Sequence, residues 1–387
     1  MKTRAGTGWS TAQDAADAGH EAATAAVAGL GGEVPALVIV FTSPRYDLPR
    51  LLAAIRAVTG DALLVGETGS GEMIRDQFLG FGAGVGVLAL SAGSYRFGVA
   101  SVGNIAQDLD GAGQQIARTS RAAAGPSPYA AVMLMADALA GDLQQLVQGV
   151  YRVTGPRVAI VGGAAGDDQK FVSTFVFHND QVVRCGAVAL WIASDHPLKV
   201  VTRHGWRPIG VPMLVTRAEG TTVLELGGRP AADAYEAQLG LVPGQLSAED
   251  FWGTSIRHPF GLLQPDGSAV IRVARAKTPQ GGLRIQGCLA PDGSAIQVMS
   301  GDADSLLAVV DEVAEAALTS VPEPGALIAF SCAARIGIYR ERAAEEPRRL
   351  QAAAGNVPTF GVYCCGEFAR TAGVLATHNA SLTALAL

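Results

Sequence analysis

Glycine-rich segments follow two of the predicted strands, at positions where an open α/β sheet places its ligands. The segments are GETGSGE at residues 66–72 and GGAAGDD at residues 162–168. Such sheets bind ligands beyond the carboxyl ends of parallel strands, where glycine lets a ligand approach backbone N–H groups closely. The first segment lacks the lysine of a P-loop, and the second has the wrong glycine spacing for a dinucleotide site. These segments either bind a small ligand that is not a dinucleotide or only form turns between strands and helices.

Further polar side chains follow predicted strands in the second half of the chain. Cys332 and Arg335 follow one strand, and Gly366 and Glu367 follow the next. Arg335 and the backbone N–H groups of residues 163–166 can hold an anionic group. An ammonium group can meet Glu72, Asp167 or Glu367. An amino acid is therefore a chemically sensible ligand. Cys332 also allows an enzyme hypothesis, as a nucleophile, although the sequence defines no histidine partner for it.

The six histidines do not form a recognisable metal site. None lies at the i, i+4 spacing of helical zinc ligands, and no HExxH motif occurs. His258, in the run RHPF, is surrounded by apolar and aromatic residues. An isolated histidine of this kind can be an axial haem ligand or a structural core residue. No cofactor is expected from the other residues, so haem at His258 is the one cofactor hypothesis.

The composition excludes several classes of protein. The net charge is −6, and the longest basic run is Arg348-Arg349, so the electrostatic footprint of a nucleic-acid-binding protein is missing. Five scattered cysteines without CxxC spacing favour reduced thiols. The N-terminus has no apolar signal region, and no run of 18 apolar residues occurs. We expect a cytoplasmic protein with neither nucleic acid nor membrane as a partner.

Strands that alternate with helices predict an α/β fold with largely parallel sheets flanked by helices. A helix is predicted at residues 11–30. Proline and glycine cluster at residues 206–212 and predict a boundary between two associated halves, and the turn pairs after it indicate α+β features in the second half. We therefore divide the chain into an N-terminal helix at residues 1–29, a first domain at residues 30–208 and a second domain at residues 209–387.

Seven short segments resemble, in this order, the FIST family, in which an N-terminal and a C-terminal FIST domain form one sensory unit. The segments are VFTSPRYD, LVGETGSGEM, VGGAAGDD, HGWRPIG, FSCAAR, VYCCGEF and THNAS. The similarity covers residues 35–387 and is carried by the ordered set. The chain departs from the family pattern at Glu67, where the family usually has cysteine, and at Cys364-Cys365, where it has small or polar residues.

The resemblance implies a sensory module of signal transduction that binds a small ligand such as an amino acid, which we expect between the two halves. The ligand site that it implies comprises Gly66, Thr68, Gly71, Glu72, Gly163, Ala164, Gly166, Asp167, Cys332, Arg335, Gly366, Glu367 and Asn379. A subset of the family is similar to haem-binding nitric-oxide sensors that act on histidine kinases. The sequence shows no kinase, cyclase or methyl-accepting region, so we expect a separate signalling protein, such as a histidine kinase, to receive the signal. We expect a sensor that is not an enzyme, with the haem sensor and the Cys332 enzyme as alternatives.

Overall fold

The structure is a computed structural model that describes residues 2–286, 291–371 and 374–387, so Cys288 lies outside the described residues. Within these residues the strands form three six-stranded sheets and one nine-stranded sheet. The six-stranded sheets are built by three units of the same topology. Each unit runs through a strand, a helix, a strand, a helical crossover, a strand, a hairpin and a closing strand.

The first two units are continuous in sequence. The first comprises β1 (Ala5–Ser10), α1 (Ala15–Ala28), β2 (Leu37–Thr42), α2 (Leu48–Thr59), β3 (Leu63–Thr68), β4 (Glu72–Ile74), β5 (Gln77–Phe78) and β6 (Val85–Leu90). The second comprises β7 (Tyr95–Val102), α3 (Leu109–Ala124), β8 (Tyr129–Asp137), α4 (Leu143–Thr154), β9 (Ala159–Ala165), β10 (Phe175–His178), β11 (Gln181–Arg184) and β12 (Ala187–Ser194).

The third unit begins with β13 (Val200–Arg203) and is then interrupted by an insertion. The insertion contains β14 (Arg207–Pro208), β15 (Met213–Glu219), β16 (Thr222–Leu226), β17 (Arg229–Pro230), α5 (Ala231–Gln238), α6 (Ala248–Ser255), β18 (Phe260–Leu263), β19 (Ala269–Arg272), β20 (Ala274–Lys277), β21 (Leu283–Ile285) and β22 (Ala295–Ser300). The unit resumes with α7 (Ala303–Leu318), β23 (Leu327–Cys332), α8 (Ala333–Tyr339), α9 (Glu345–Ala354), β24 (Thr359–Cys364), β25 (Glu367–Thr371), β26 (Val374–His378) and β27 (Leu382–Ala386). The inserted strands form the nine-stranded sheet, which is antiparallel as the turn pairs predict.

The hairpin of each unit leaves its own sheet and joins the sheet of another unit. The strand orders are β1-β6-β2-β3-β10-β11, β7-β12-β8-β9-β25-β26 and β13-β27-β23-β24-β4-β5. The hairpin of the first unit therefore lies in the third sheet, that of the second unit in the first sheet, and that of the third unit in the second sheet. This cyclic exchange interlocks the N-terminal and C-terminal parts of the chain.

The mixed α/β fold is confirmed, but the prediction of largely parallel sheets is wrong. Within the described residues, strands pair in parallel at β2–β3, β8–β9 and β23–β24, and their other pairings are antiparallel. A helical crossover joins the two strands of each parallel pair, as parallel pairing requires. The sequence pattern predicts these crossovers. It does not show that each parallel pair has antiparallel neighbours on both sides, namely the closing strand of its own unit and a hairpin from another unit.

The start of the chain also differs from the prediction. The helix predicted at residues 11–30 begins at Ala15, where the Asp14 side chain accepts hydrogen bonds from the first-turn N–H groups. Strand β1 precedes it and was missed, because its sequence AGTGWS has no apolar run. Its glycines allow close packing: a Cβ at Gly6 would lie 2.0 Å from the carbonyl oxygen of Ala26 in α1.

The hydrophobic core between the sheets joins residues from different units. The ring of Phe41 on β2 stacks on Phe360 of β24 with centroids 4.9 Å apart, and it meets Phe330 of β23 edge to face at 5.6 Å. All three side chains are buried. No helix in the described part of the chain combines the length and the apolar character needed to cross a bilayer.

Candidate functional site

The loops that follow the third strand of each unit meet one another. They are residues 69–71 after β3, residues 166–168 after β9 and residues 365–366 after β24. Three backbone hydrogen bonds close a ring: Ser70 N–H to Tyr363 O at 2.8 Å, Gly166 N–H to Thr68 O at 2.7 Å, and Cys365 N–H to Ala164 O at 2.7 Å. The glycine-rich segments therefore hold the three units together, and the predicted site residues gather around this ring of loops.

The predicted site glycines are enclosed by the chain itself. A Cβ at Gly66 would lie 2.0 Å from the carbonyl oxygen of Val40, and one at Gly163 would lie 2.7 Å from the sulfur of Cys364. Gly71 has φ +119°, a conformation that requires glycine, and its carbonyl accepts a hydrogen bond from the backbone of β24. These glycines permit close packing of strands rather than close approach of a ligand.

The backbone N–H groups predicted to hold an anionic group are already paired. Ala164 N–H donates to the carbonyl of Gly366 at 2.8 Å, and Gly166 N–H donates to Thr68. A ligand can reach these two donors only if the ring of loops opens, so anion binding here stays a prediction. A glycine-rich turn can either expose backbone N–H groups to a ligand or let two strands pack closely, and the sequence alone does not distinguish these roles.

Asp167 and Thr68 also make contacts within the chain. The buried carboxylate of Asp167 accepts hydrogen bonds from three successive backbone N–H groups, at residues 171–173, with distances of 2.6 to 3.0 Å. The hydroxyl of Thr68 donates to the carbonyl of Gly166 at 2.7 Å. Asp167 therefore shapes the loop that leads into β10, and Thr68 fastens that loop to β3.

Arg335 makes its contacts within the chain, whereas the sequence analysis predicts that it pairs with an anionic ligand. Its guanidinium is fully buried and pairs with the equally buried carboxylate of Glu346, with Nη2–Oε1 at 2.9 Å and Nε–Oε1 at 3.1 Å. It also donates to the carbonyl of Leu306 in α7 at 3.0 Å. Glu346 in turn accepts from the hydroxyls of Ser331 and Tyr363. Arg335 therefore joins three helices to the third sheet.

Three buried glutamates lie beside the ring of loops. Glu367 accepts hydrogen bonds from the backbone N–H and the hydroxyl of Ser381, at 3.1 and 2.6 Å, and burial raises its pKa from 4.5 to about 8. Glu67 and Glu72 are fully buried, and their carboxyl oxygens have no hydrogen-bond partner within the described residues. Burial raises the pKa of both well above the usual range, and the nearby Asp168 raises that of Glu72 further. Burial therefore favours the neutral acid, which can donate a hydrogen bond.

A pocket opens beside the ring of loops, between the loop after β9 and the insertion. Its volume is about 20 Å³, roughly the space of one water molecule, so a small ligand would have to move the lining side chains apart. The lining consists of Gln169, Phe171, Trp252, Val273, Gln286, Cys332, Ala333, Ala334, Cys364, Cys365 and Asn379. Cys332 and Asn379 are thus the predicted site residues that line this pocket. Glu367 lies one side chain behind it, 3.6 Å from the sulfur of Cys364.

Aromatic and cationic side chains at the pocket were missed by the sequence analysis. The rings of Phe171 and Trp252 meet edge to face with centroids 6.5 Å apart, and the guanidinium carbon of Arg275 lies 3.9 Å from the centroid of Phe171. Phe171 has φ +55°, a left-handed conformation that is costly for a bulky residue and that concentrates at functional sites. None of the three directly follows a predicted strand, so no local signal in the sequence identified them.

The surroundings of the three pocket thiols disfavour their thiolate form. Burial raises the pKa of Cys332 and Cys364 well above the usual range, and the neighbouring Glu367 carboxylate adds to both rises. Burial also raises the pKa of Cys365 to about 12. A reactive cysteine needs a lowered pKa and access to solvent. The hypothesis of Cys332 as a catalytic nucleophile therefore lacks the environment that it requires.

His258 lies outside the pocket around Cys332. Its backbone carbonyl accepts a hydrogen bond from the hydroxyl of Tyr235 at 2.9 Å, and its buried Nδ1 has no hydrogen-bond partner within the described residues. Among those residues, no three His, Cys, Asp or Glu side chains are placed to hold a metal ion together. Haem at His258 stays a prediction.

Comparisons with known proteins identify domains and relatives. Residues 36–229 match the FIST N domain, and residues 231–370 match the FIST C domain. Uncharacterized proteins of two Mycobacterium tuberculosis strains, CDC 1551 / Oshkosh and ATCC 25618 / H37Rv, are 28% identical over 390 residues, which cover 97% of this chain and 97% of theirs. An uncharacterized protein of Methanocaldococcus jannaschii is 30% identical over 113 residues, which cover 28% of this chain and 22% of its own. Among solved structures, a cyanuric acid hydrolase from A. caulinodans aligns over 100% of this chain and 99% of its own, with a TM-score of 0.33 and 10% identity.

Proposed function

Because this chain belongs to the family of proteins that combine a FIST N and a FIST C domain, we propose that it is a sensory protein whose small ligand binds in the pocket around Cys332. FIST domains are associated with sensory signal transduction. The position of the pocket carries the proposal. Gln169 and Phe171 belong to the FIST N part, whereas Trp252 and Cys332 belong to the FIST C part. A ligand that contacts both parts favours one arrangement of the two over another, as a sensor requires.

The ligand is an amino acid or a similar small metabolite. Arg275 replaces Arg335 as the partner of its carboxylate, because the Arg275 side chain is exposed and lies over the ring of Phe171 at the pocket. An arginine pairs with a carboxylate through two parallel hydrogen bonds. The ammonium group would lie toward Glu367, since a nearby cation lowers the pKa of a buried carboxyl and stabilises its charged form.

A thermal-shift screen of amino acids against the full chain tests this proposal. A ligand present at one hundred times its Kd stabilises the folded state by about 2.7 kcal/mol, which raises the Tm by several degrees. The replacement Arg275→Gln should weaken binding about tenfold, a loss of roughly 1.4 kcal/mol. Arg284→Gln is the matched control, because Arg284 is exposed on β21, the strand next to β20, and does not line the pocket.

Two results would contradict the proposal. If no amino acid or related small acid or amine raises the Tm, the ligand class is wrong. If Arg275→Gln and Arg284→Gln weaken binding equally, the ligand does not bind at Phe171. A separate signalling protein, such as a histidine kinase, is proposed to read the liganded state. The scattered cysteines support a cytoplasmic location for this exchange.

A further inference from the structure

A long groove follows the outer edge of β13. In the third sheet β13 pairs with β27 on one side, and no strand of the described residues pairs with its other side. Ten consecutive residues, 198–207, line the groove, and α7 and β19 contribute further lining. Its volume is about 1010 Å³. This volume lies at the upper end of the range for small-molecule pockets, and the ten lining residues along β13 give the groove an elongated shape that suits an extended chain.

The groove arises where the third unit differs from the other two. In the first unit, a Cβ at Gly8 of β1 would lie 2.1 Å from a carbonyl oxygen of α1, and in the second a Cβ at Gly98 of β7 would lie 2.3 Å from a carbonyl oxygen of α3. Glycine thus lets each helix pack directly on its edge strand. The corresponding strand β13 reads VVTR and has no glycine. The facing helix α7 contributes short side chains to the groove, among them Ser305, Ala308 and Val309.

The groove is basic although the chain carries a net charge of −6. Its lining contains the cations Arg157, Lys199, Arg203, Arg207 and Arg370. Asp266 is the acidic residue of the lining, and its carboxylate accepts hydrogen bonds from the backbone and hydroxyl of Ser268. Glu312 of α7 pairs with Arg203 at 2.7 Å. No carboxylate of the described residues lies within ion-pair distance of Arg157 or Lys199, so these two cations are available to an acidic partner.

A buried polar atom at the groove also lacks a partner. His378 is 7% exposed and lines the groove, and its Nε2 has no hydrogen-bond partner within the described residues. Burial lowers the pKa of His378 to about 3 and that of the neighbouring His204, which also lines the groove, to about 4. Both imidazoles are therefore neutral. A buried polar atom without a partner costs free energy, which an occupant of the groove can recover by hydrogen bonding.

We propose that this groove binds an acidic, extended segment of a partner protein, which adds to β13 as a further strand. The free strand edge supplies backbone hydrogen bonds, and the space beside α7 receives alternate side chains of the segment. A second copy of this chain is a poor occupant, because an antiparallel pair of β13 strands centred on Val201 would place Lys199 of each copy opposite Arg203 of the other. The separate signalling protein proposed above is a suitable partner for this groove. Binding at the groove can nevertheless be tested without a ligand in the pocket around Cys332.

The test uses the full chain and a fluorescein-labelled peptide of about twelve residues that alternates glutamate and valine, long enough at about 3.3 Å per residue to span the groove. Binding is measured at low salt by fluorescence anisotropy, and backbone amide exchange is measured by mass spectrometry. The peptide should slow exchange at residues 200–203 and leave unchanged residues 77–78, which form β5 at the opposite edge of the same sheet. A peptide with the same sequence but N-methyl groups on alternate backbone nitrogens should bind at least about tenfold more weakly, because it cannot complete the strand ladder.

A charge-reversed variant separates this site from general attraction to acidic peptides. The double variant R157E/K199E should weaken binding at least about tenfold, which corresponds to 1.4 kcal/mol. The control R118E/R184E makes the same change in net charge at exposed arginines outside the groove and should leave the affinity within about twofold. The proposal is overturned if the parent peptide does not bind, if the N-methylated peptide binds equally well, or if both double variants lose affinity equally. It is also overturned if a dimer of this chain, detected by light scattering, protects residues 200–203 instead.

Discussion

The guanidinium of Arg335 and the carboxylate of Glu346 form an ion pair in which neither side chain reaches solvent. The pair connects α8, which carries Arg335, to α9, which carries Glu346, and the hydroxyl of Tyr363 on β24 donates to the same carboxylate at 2.7 Å. Removing two charges from water is unfavourable, and it is offset only when each charge keeps its partner and its hydrogen bonds. Removing one partner of this buried ion pair should therefore lower the free energy of unfolding more than removing one partner of a surface pair.

The replacement Glu346→Gln should lower the free energy of unfolding by about 3–5 kcal/mol, because it leaves the Arg335 charge buried without a counter-charge. Glu312→Gln is the control, since Glu312 forms its ion pair with Arg203 on the surface, where such pairs contribute about 0–1 kcal/mol. Urea unfolding followed by circular dichroism measures both. Equal losses in the two variants would contradict the assignment of Arg335 to a structural role.

Glu367 should contribute a fall in stability as the pH rises from about 4.5 to about 8, whereas His204 and His378, whose pKa values burial lowers from 6.5, act in the opposite direction below about pH 6.5. Folded Glu367 keeps its proton up to about pH 8, whereas the unfolded chain releases it near 4.5, so the folded state binds more protons in this window. The stabilisation is complete below pH 4.5 and is lost as the pH passes 8. Glu67 and Glu72 act in the same direction, because burial raises the pKa of both.

The variant Glu367→Gln isolates this contribution. It should make the slope of the unfolding free energy against pH more positive between pH 5 and pH 8 by up to about 1.4 kcal/mol per pH unit, the slope that one proton produces. Glu249→Gln, at an exposed position of α6, should keep the slope of the parent chain. Denaturant unfolding at several pH values gives these slopes, and an unchanged slope for Glu367→Gln would show that its carboxyl is not protonated in the folded state.

Local patterns in the sequence predict much of the secondary structure, because they report burial directly. The apolar runs at residues 36–42 and 130–135 lie in β2 and β8, and the apolar C-terminus forms β27 within the third sheet. The ordered motifs resemble the FIST family, and the matches to the FIST N and FIST C domains confirm that resemblance.

Long-range pairing could not be predicted, because a strand's sequence does not specify its partner. Hairpin β4–β5 is short and pairs with β24, almost 300 residues away in the sequence. The local pattern of apolar and polar residues does not identify such a distant partner. The same limit applies to the site. Arg335 follows a strand as a ligand-binding residue would, but Glu346 on the next helix turns it inward. Trp252 lines the pocket but belongs to the insertion. The alternation of strands and helices in the first half of the chain does not predict that this insertion packs beside the loops.

The four cysteines of the described residues should react with a thiol reagent in a fixed order. Cys185 is exposed, whereas Cys332 and Cys364 are buried with raised pKa values, and Cys365 has a pKa of about 12. Because the thiolate is the reactive form, iodoacetamide should modify Cys185 first and the three pocket thiols only after unfolding. Peptide mass spectrometry gives the rate for each residue. Fast modification of Cys332 in the folded chain would restore the enzyme hypothesis.

Trp252 should report ligand binding through its fluorescence, because it lines the pocket around Cys332. The other tryptophans are Trp9, Trp191 and Trp206, and none of them lines this pocket. A ligand that displaces water from an indole makes its surroundings less polar, so the emission maximum of the full chain should shift on titration. Trp252→Phe should abolish the shift but retain the thermal stabilisation, since phenylalanine keeps an aromatic face beside Phe171. Trp9→Phe is the control and should retain both signals, because Trp9 lies on β1. If the shift persists in Trp252→Phe, the ligand binds elsewhere in the molecule.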